Sequence, residues 1–315
     1  MDFSFSDDQT LLLDAFDGLL DRYRTVPNGV AAYVAWDAGF QRELAESGFL
    51  EVANQPGFGP LEAAMLVEAA ASCPVGAEAA ASMLIGPLLG QPAGPIALAW
   101  AVGKPVRYLA QAVTLCLFES DAVLVGTPLP GDFSPLAGVS AYPMARLEHV
   151  PQGMRRLGEA DAAAVRRRAI LGIAAEAVGL MRGALDHTVR YVKERQQFGQ
   201  PLGHFQAIQH RLAEGAQIVQ AAKLMAFRAA HADCPRLAAI AALYAQDVMR
   251  KLIYDCHQFS GAMGLTLEFP LHLWTYRLKV LQGEGGGRAA QARMVSQKTW
   301  PRQNVASDLA NWEMV

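Results

Sequence analysis

"YVKERQQFGQPLGHFQAIQHRLAEGA", Tyr191 to Ala216, brings one helix to an end on Lys193, Glu194 and Arg195, breaks the chain over Gln197 to Gly203, and restarts a helix at once. Basic residues at a helix C-terminus complement its dipole, and the glycine after Phe198 supplies a stop. In the second helix Phe205, Ile208, Leu212 and Val219 recur at the spacing of a core-facing stripe. Gln206 and Gln209, three residues apart, fall together on one side of that helix. They are either two solvated side chains or two amides that can both donate to and accept from a ligand.

Upstream runs "EADAAAVRRRAILGIAAEAVGLMRGALDHTVRYVKER", and downstream "RLAAIAALYAQDVMRKLIYDCHQFSGAMG". Both are too long and regular for isolated core helices. With the junction helix and the segment after Gly285 they predict a four-helix bundle. Near the start, Ser6 and Gln9 form a capping pattern ahead of Leu12, Leu13, Phe16, Leu19 and Leu20. Three more helical patterns follow, "YVAWDAGFQRELAESG", "GPLEAAMLVEAAASC" and "GAEAAASMLIGPLLG". Between the two helical regions, "PIALAW", "YLAQAVTLCLFES" and "DAVLVGTPL" are short apolar runs bounded by turn residues, as strands are. The expected architecture is mainly α with a small β segment: a helical unit over 1–92, a β unit over 93–158 and a helical bundle over 159–315.

A formal charge of −3 and a pI near 6.2 give no basic field for nucleic acid or an anionic membrane. No apolar run approaches the ~20 residues of a membrane span. The acidic opening after Met1 does not resemble a signal peptide, and a cytoplasmic location is expected. Hydrophobic residues make up 52 % of the chain and charged ones only 18 %, a balance that suits subunit contacts. Cys73, Cys116, Cys234 and Cys256 are scattered without metal spacing and read as reduced structural thiols. His187, His204, His210 and His257 are dispersed, suggest no metal site, and read as surface or capping residues.

The phrase Y-x-x-x-R-x-Q-F-G-x-P-x-G-x-F-Q-x-x-Q-H-x-L-A closely resembles a helix junction of the acyl-CoA dehydrogenases. "HQFSGAMGLTLEFPLHLWTYRLKVLQGEGGG", His257 to Gly287, resembles the family's segment from its Q-x-x-G-G turn to its catalytic-glutamate loop, and "MDFSFSDDQTLLLDAF" its first helix. The resemblance implies a helical N-terminal domain, a β-barrel and a C-terminal four-helix bundle that holds FAD at a subunit interface. It assigns Arg195 to the FAD pyrophosphate, which suits the planar fork of a guanidinium. It also places Gln197, Phe198, Gln206 and Gln209 beside the cofactor. Gln258, Gly261 and Gly264 correspond to a second contact, where the backbone approaches FAD of the neighbouring subunit; Ala262 stands where a further glycine is usual.

The middle segment is shorter than the family's barrel and lacks the Thr-Glu and Gly-Ser-Asp stretches that hold the isoalloxazine ring. The resemblance implies α,β-dehydrogenation of an acyl-CoA thioester, in which a carboxylate removes the α proton. Glu284 in "VLQGEGGGR" is the nearest match to the usual base, reached by a one-residue shift; read as a residue alone, it is an exposed carboxylate on a flexible triple-glycine loop. The other position used for the base falls near Ala169, and Glu176 on the same helix is either a buried acid or a packing contact. Arg166 to Arg168 decorate a solvated helix face or meet a CoA phosphate.

This pattern resembles the short, degenerate subunit of heteromeric acyl-CoA dehydrogenases that act on steroid side chains, completing the flavin site of a full-length partner. Two other readings stand beside it: a self-sufficient homo-oligomer that uses Glu284, and a non-catalytic assembly or acyl-CoA-binding subunit without flavin. The motifs specify neither the acyl group nor the electron acceptor.

Overall fold

A computed structural model describes residues 4–26, 33–90 and 94–300; the first three residues of the acidic opening and the end of the bundle segment, 301–315, lie outside the described residues. Five helices come first. Helix α1 (Asp7–Leu20) starts on the capping box, with the Gln9 amide donating to Ser6 Oγ at 3.2 Å and the Ser6 amide to Gln9 Oε1 at 3.1 Å. Asp37 caps α2 (Ala38–Glu46), and Glu62 accepts from the Gly59 amide at the start of α3 (Pro60–Ala71). Helices α4 (Ala80–Leu84) and α5 (Gly86–Leu89) complete the group. Buried Glu78 accepts from the Ala81 and Ser82 amides at the head of α4.

The strands are β1 (Ile96–Ala99), β2 (Pro105–Arg107), β3 (Thr114–Phe118), β4 (Val123–Gly126), β5 (Phe133–Leu136), β6 (Met144–Leu147) and β7 (Arg155–Arg156). They form a four-stranded sheet of order β1-β3-β4-β7, with β1 parallel to β3, and a three-stranded sheet of order β2-β6-β5. Side-chain alternation explains why all five residues of β3 are buried. Cys116 and Phe118, with Ile96, Val123 and Val125, face the helices; Leu115 and Leu117, with Ala97 and Ala99, face the second sheet and its Val106, Ala145 and Leu147.

The bundle is built from α6 (Glu159–Glu194), α7 (Gln206–Ala232), α8 (Pro235–Ser260) and α10 (Gly287–Thr299), with α9 (His272–Leu281) packed on α6. Small residues set the spacing. A methyl group at Gly179 would overlap the Glu68 carbonyl, and one at Gly183 the Ser72 carbonyl and the Trp274 indole, so α6 and the end of α3 meet backbone to backbone. The N-terminal helices and the bundle share one continuous apolar core, from Phe16 and Leu20 through Leu66 and Met181 to Met249 and Leu281.

Two surface expectations are corrected. Arg167 and Arg168 do not decorate a solvated face, because Asp233 at the end of α7 lies over it and accepts from both, at 2.8 and 2.9 Å from their Nε atoms. Arg166 donates to the Glu119 and Ala122 carbonyls. His187 is packed between the rings of Phe269 and Trp274, and burial lowers its pKa to about 4. Cys73, Cys116 and Cys256 are buried and free, their thiol pKa values pushed up by that burial to about 11, 12 and 12. Among the described residues no helix is long and apolar enough to cross a membrane, and no His/Cys/Asp/Glu cluster could hold a metal ion.

Candidate functional site

Arg195 is the C-cap of α6, where the helical backbone gives way to an extended one. A two-stranded hairpin follows, β8 (Gln196–Gln197) against β9 (Gln200–Pro201), and Phe198 and Gly199 form its tip. Both tip residues have positive φ, +56° and +82°, the conformation of the tight hairpin turn that normally takes Asn-Gly. The hairpin returns the chain so that the Leu202 amide donates to the Arg195 carbonyl at 2.9 Å, and α7 begins four residues later. Phe198 is 87 % exposed, touching the Phe205 ring edge-on at 6.1 Å. The Arg195 side chain is exposed and has no hydrogen-bond or ion-pair partner among the described residues.

Gln206 and Gln209 are exposed on the first turn of α7, which has no side-chain cap and no acid. Gln209 Nε2 donates to the Gly203 carbonyl at 2.8 Å, leaving its oxygen free to accept. Gln258 is exposed on the last turn of α8, and Gly261 takes φ +58° just beyond it. Arg211 pairs with Asp255 and Glu214 with Lys251, so α7 and α8 run antiparallel in a register that brings the Gln206 turn and the Gln258–Gly264 turn to the same end of the helix pair. Apart from buried Gly264, every residue that the resemblance assigned to the cofactor is exposed at or near this end. A guanidinium without a counter-ion, next to an uncapped helix N-terminus, suits an anion.

The two carboxylates offered by the sequence lie elsewhere, between the sheets and the bundle, where one guanidinium joins them. Arg107, at the end of β2, donates through Nε to Glu284 Oε2 at 2.8 Å and through Nη1 to Glu176 Oε1 and Oε2 at 3.0 and 2.9 Å. The Tyr142 hydroxyl donates to Glu176 Oε1 at 2.7 Å, and the Trp100 indole to Glu284 Oε1 at 3.0 Å. Burial alone would lower the Arg107 pKa, but the carboxylates of Glu176 and Glu284 hold it well above its ordinary value. Burial, reinforced by Glu176, raises that of Tyr142.

Glu284 is therefore not an exposed loop acid. Its side chain retains 8 % exposure, and its loop is fixed. Gly285, Gly286 and Gly287 all have positive φ, and buried Gln246 holds the Leu281 and Glu284 carbonyls at 2.8 and 2.9 Å. A cavity of about 10 Å³ lies beside Glu78, Arg107, Gly172 and Glu284. Sequence reasoning assigned no role to Arg107, Tyr142 or Trp100; the signal available was a lone arginine in the apolar run "PVRYLA".

Residues 167–299 match the family model for the acyl-CoA dehydrogenase C-terminal domain. Acyl-CoA dehydrogenase IpdE2 of Mycobacterium tuberculosis is 31 % identical over 215 residues, a stretch covering 62 % of this chain and 67 % of that protein. The chain belongs to the acyl-CoA dehydrogenase family. A second acyl-CoA dehydrogenase relative, the probable enzyme FadE25 of the same organism, is 35 % identical over 130 residues, which cover 39 % of this chain and only about a third, 33 %, of that one. Among solved structures, a chain of the ChsE4–ChsE5 complex of M. tuberculosis superposes with a TM-score of 0.79 at 20 % identity, covering 96 % of this chain and 100 % of that one. Butyryl-CoA dehydrogenase of Megasphaera elsdenii gives 0.77 at 19 %, covering 95 % and 100 %. Both likenesses establish an acyl-CoA dehydrogenase fold.

Proposed function

We propose that this chain is a subunit of an FAD-dependent acyl-CoA dehydrogenase and supplies the pyrophosphate-binding half of a flavin site completed by a full-length homologue. The observation that carries the reading is the Arg195 guanidinium, exposed and without a counter-ion at the hairpin between α6 and α7. Similarity in fold to a chain of the ChsE4–ChsE5 complex supports a heteromeric assembly.

Bound FAD would accept the hydride in the α,β-dehydrogenation of an acyl-CoA thioester. The chain's own part is to bind and orient. Arg195 offers paired N–H donors to the pyrophosphate oxygens. Phe198 supplies an apolar ring to cover the cofactor, and the Gln206 and Gln209 amides serve its polar groups. The Gln258–Gly261 turn lets backbone approach closely, since Gly261 carries no Cβ. The space between the sheets and the bundle beside Arg107 and Glu284, about 10 Å³, is too small for a flavin ring.

The test is to purify the chain alone and after co-expression with a full-length acyl-CoA dehydrogenase of the same organism. Visible flavin absorption and acyl-CoA-dependent reduction of a dye should appear only in the co-expressed complex. A yellow, active homo-oligomer would favour self-sufficiency, and a stable colourless complex would favour an assembly role.

A further inference from the structure

The Arg107 cluster has features that packing alone does not demand. All four carboxylate oxygens of Glu176 and Glu284 accept from Arg107, Tyr142 or Trp100, so neither acid has an oxygen without a donor. A base for a carbon acid needs an oxygen aimed at the substrate and room for that substrate beside it, and both acids here are instead aimed at one guanidinium. The cavity of about 10 Å³ holds about one water. The guanidinium also lies over the Tyr142 ring, 4.7 Å from its centroid, which fixes its plane. The backbone on both sides is strained: Tyr108, next to Arg107, has φ +59°, and Ala141, next to Tyr142, has φ +57°. Non-glycine residues keep that conformation only where surrounding contacts enforce it. The Tyr108 hydroxyl donates to the Ala77 carbonyl and its amide to Pro143, which anchors the strained step.

We infer that Arg107 is a built-in plug: it holds the cleft between the sheets and the bundle shut and removes Glu176 and Glu284 from proton transfer, so this chain contributes no base to turnover. Arg107 of the second sheet ties Glu176 on α6 to Glu284 on the α9–α10 loop, and Trp100, just after β1 of the first sheet, holds Glu284 from the other side. The plug stands on this geometry, whereas its consequence for turnover rests on the heteromeric function proposed above.

The experiment combines R107M, E176M, E284Q and the double variant R107M/E176M. Thermal unfolding of each purified chain is followed first. R107M should lower Tm because two buried acids lose their counter-charge, and the double variant should recover part of the loss. Strictly additive shifts, or an unchanged Tm in R107M, would overturn the plug. Turnover of the co-expressed complex is read next. E284Q should lower kcat by less than about tenfold and leave the pH–rate profile in place, where loss of a general base removes roughly 10²–10⁴-fold. A loss of that size, with flavin content and Tm preserved, would overturn the inference. If R195A leaves flavin content unchanged, the proposed function fails while the unfolding measurements still decide the plug.

Discussion

The Trp274 indole nitrogen donates to the Ser72 carbonyl oxygen at 2.9 Å, joining α9 to the end of α3 across 202 residues of sequence. That contact passes over Gly183, where no side chain fits. Gly183→Ala should destabilise the chain by about 3 kcal/mol, since the obstruction includes backbone that cannot rotate away. Gly18→Ala is the control: it lies within α1 with open space at its Cβ, and should be neutral or slightly stabilising. Chemical denaturation of the two variants checks the contrast.

Arg195→Ala should leave the unfolding midpoint of the isolated chain unchanged, because the side chain has no partner there to lose. In the co-expressed complex it should weaken flavin retention by about ten- to a hundredfold, the worth of a charged hydrogen-bond pair. Arg195→Lys should restore only part, since an ammonium cannot form the bidentate contact. Flavin released on dialysis reads both.

Phe198 occupies a left-handed turn position with 87 % of its surface exposed, against the local preference for Asn or Gly. Phe198→Asn should therefore stabilise the isolated chain by about 0.5–1 kcal/mol. The same variant should assemble or retain flavin less well. Opposite signs in these two measurements identify the ring as serving a partner or cofactor.

His187 stays neutral inside the protein, its pKa brought down to about 4 by burial, with Arg190 adding to the effect. An unfolded histidine titrates near 6.5. Above about pH 6.5 neither state binds the proton and the group adds no pH dependence. Between about pH 6.5 and 4 the unfolded chain gains a proton that the folded chain refuses, so stability falls with pH by up to about 1.4 kcal/mol per unit. His187→Gln should flatten that part of the stability profile, measured by denaturation across the range.

The order of helices, strands and bundle was legible because α1, α6, α7 and α8 carry long, capped periodic patterns. β1, β3 and β4 were legible as apolar runs. β2, β5 and β7 were not: they hold two to four residues and contain Pro105, Pro135 or the Arg155–Arg156 pair, which interrupt any alternation. The hairpin at Arg195 could be located because its residues are contiguous. The Arg107 cluster could not, because Arg107 lies 69 residues from Glu176 and 177 from Glu284, and nothing local announces a buried counter-ion. The same holds for Arg168 and Asp233, 65 residues apart.

The apolar core that runs unbroken from Phe16 to Leu281 also bears on how the polypeptide is made. Helices α1 to α5 leave the ribosome before α6 to α9 are synthesised, so the apolar faces that they share with those helices have no cover at that stage. Early folding of this segment as an independent unit is therefore disfavoured, and its apolar faces stay open to aggregation until the C-terminal helices are complete.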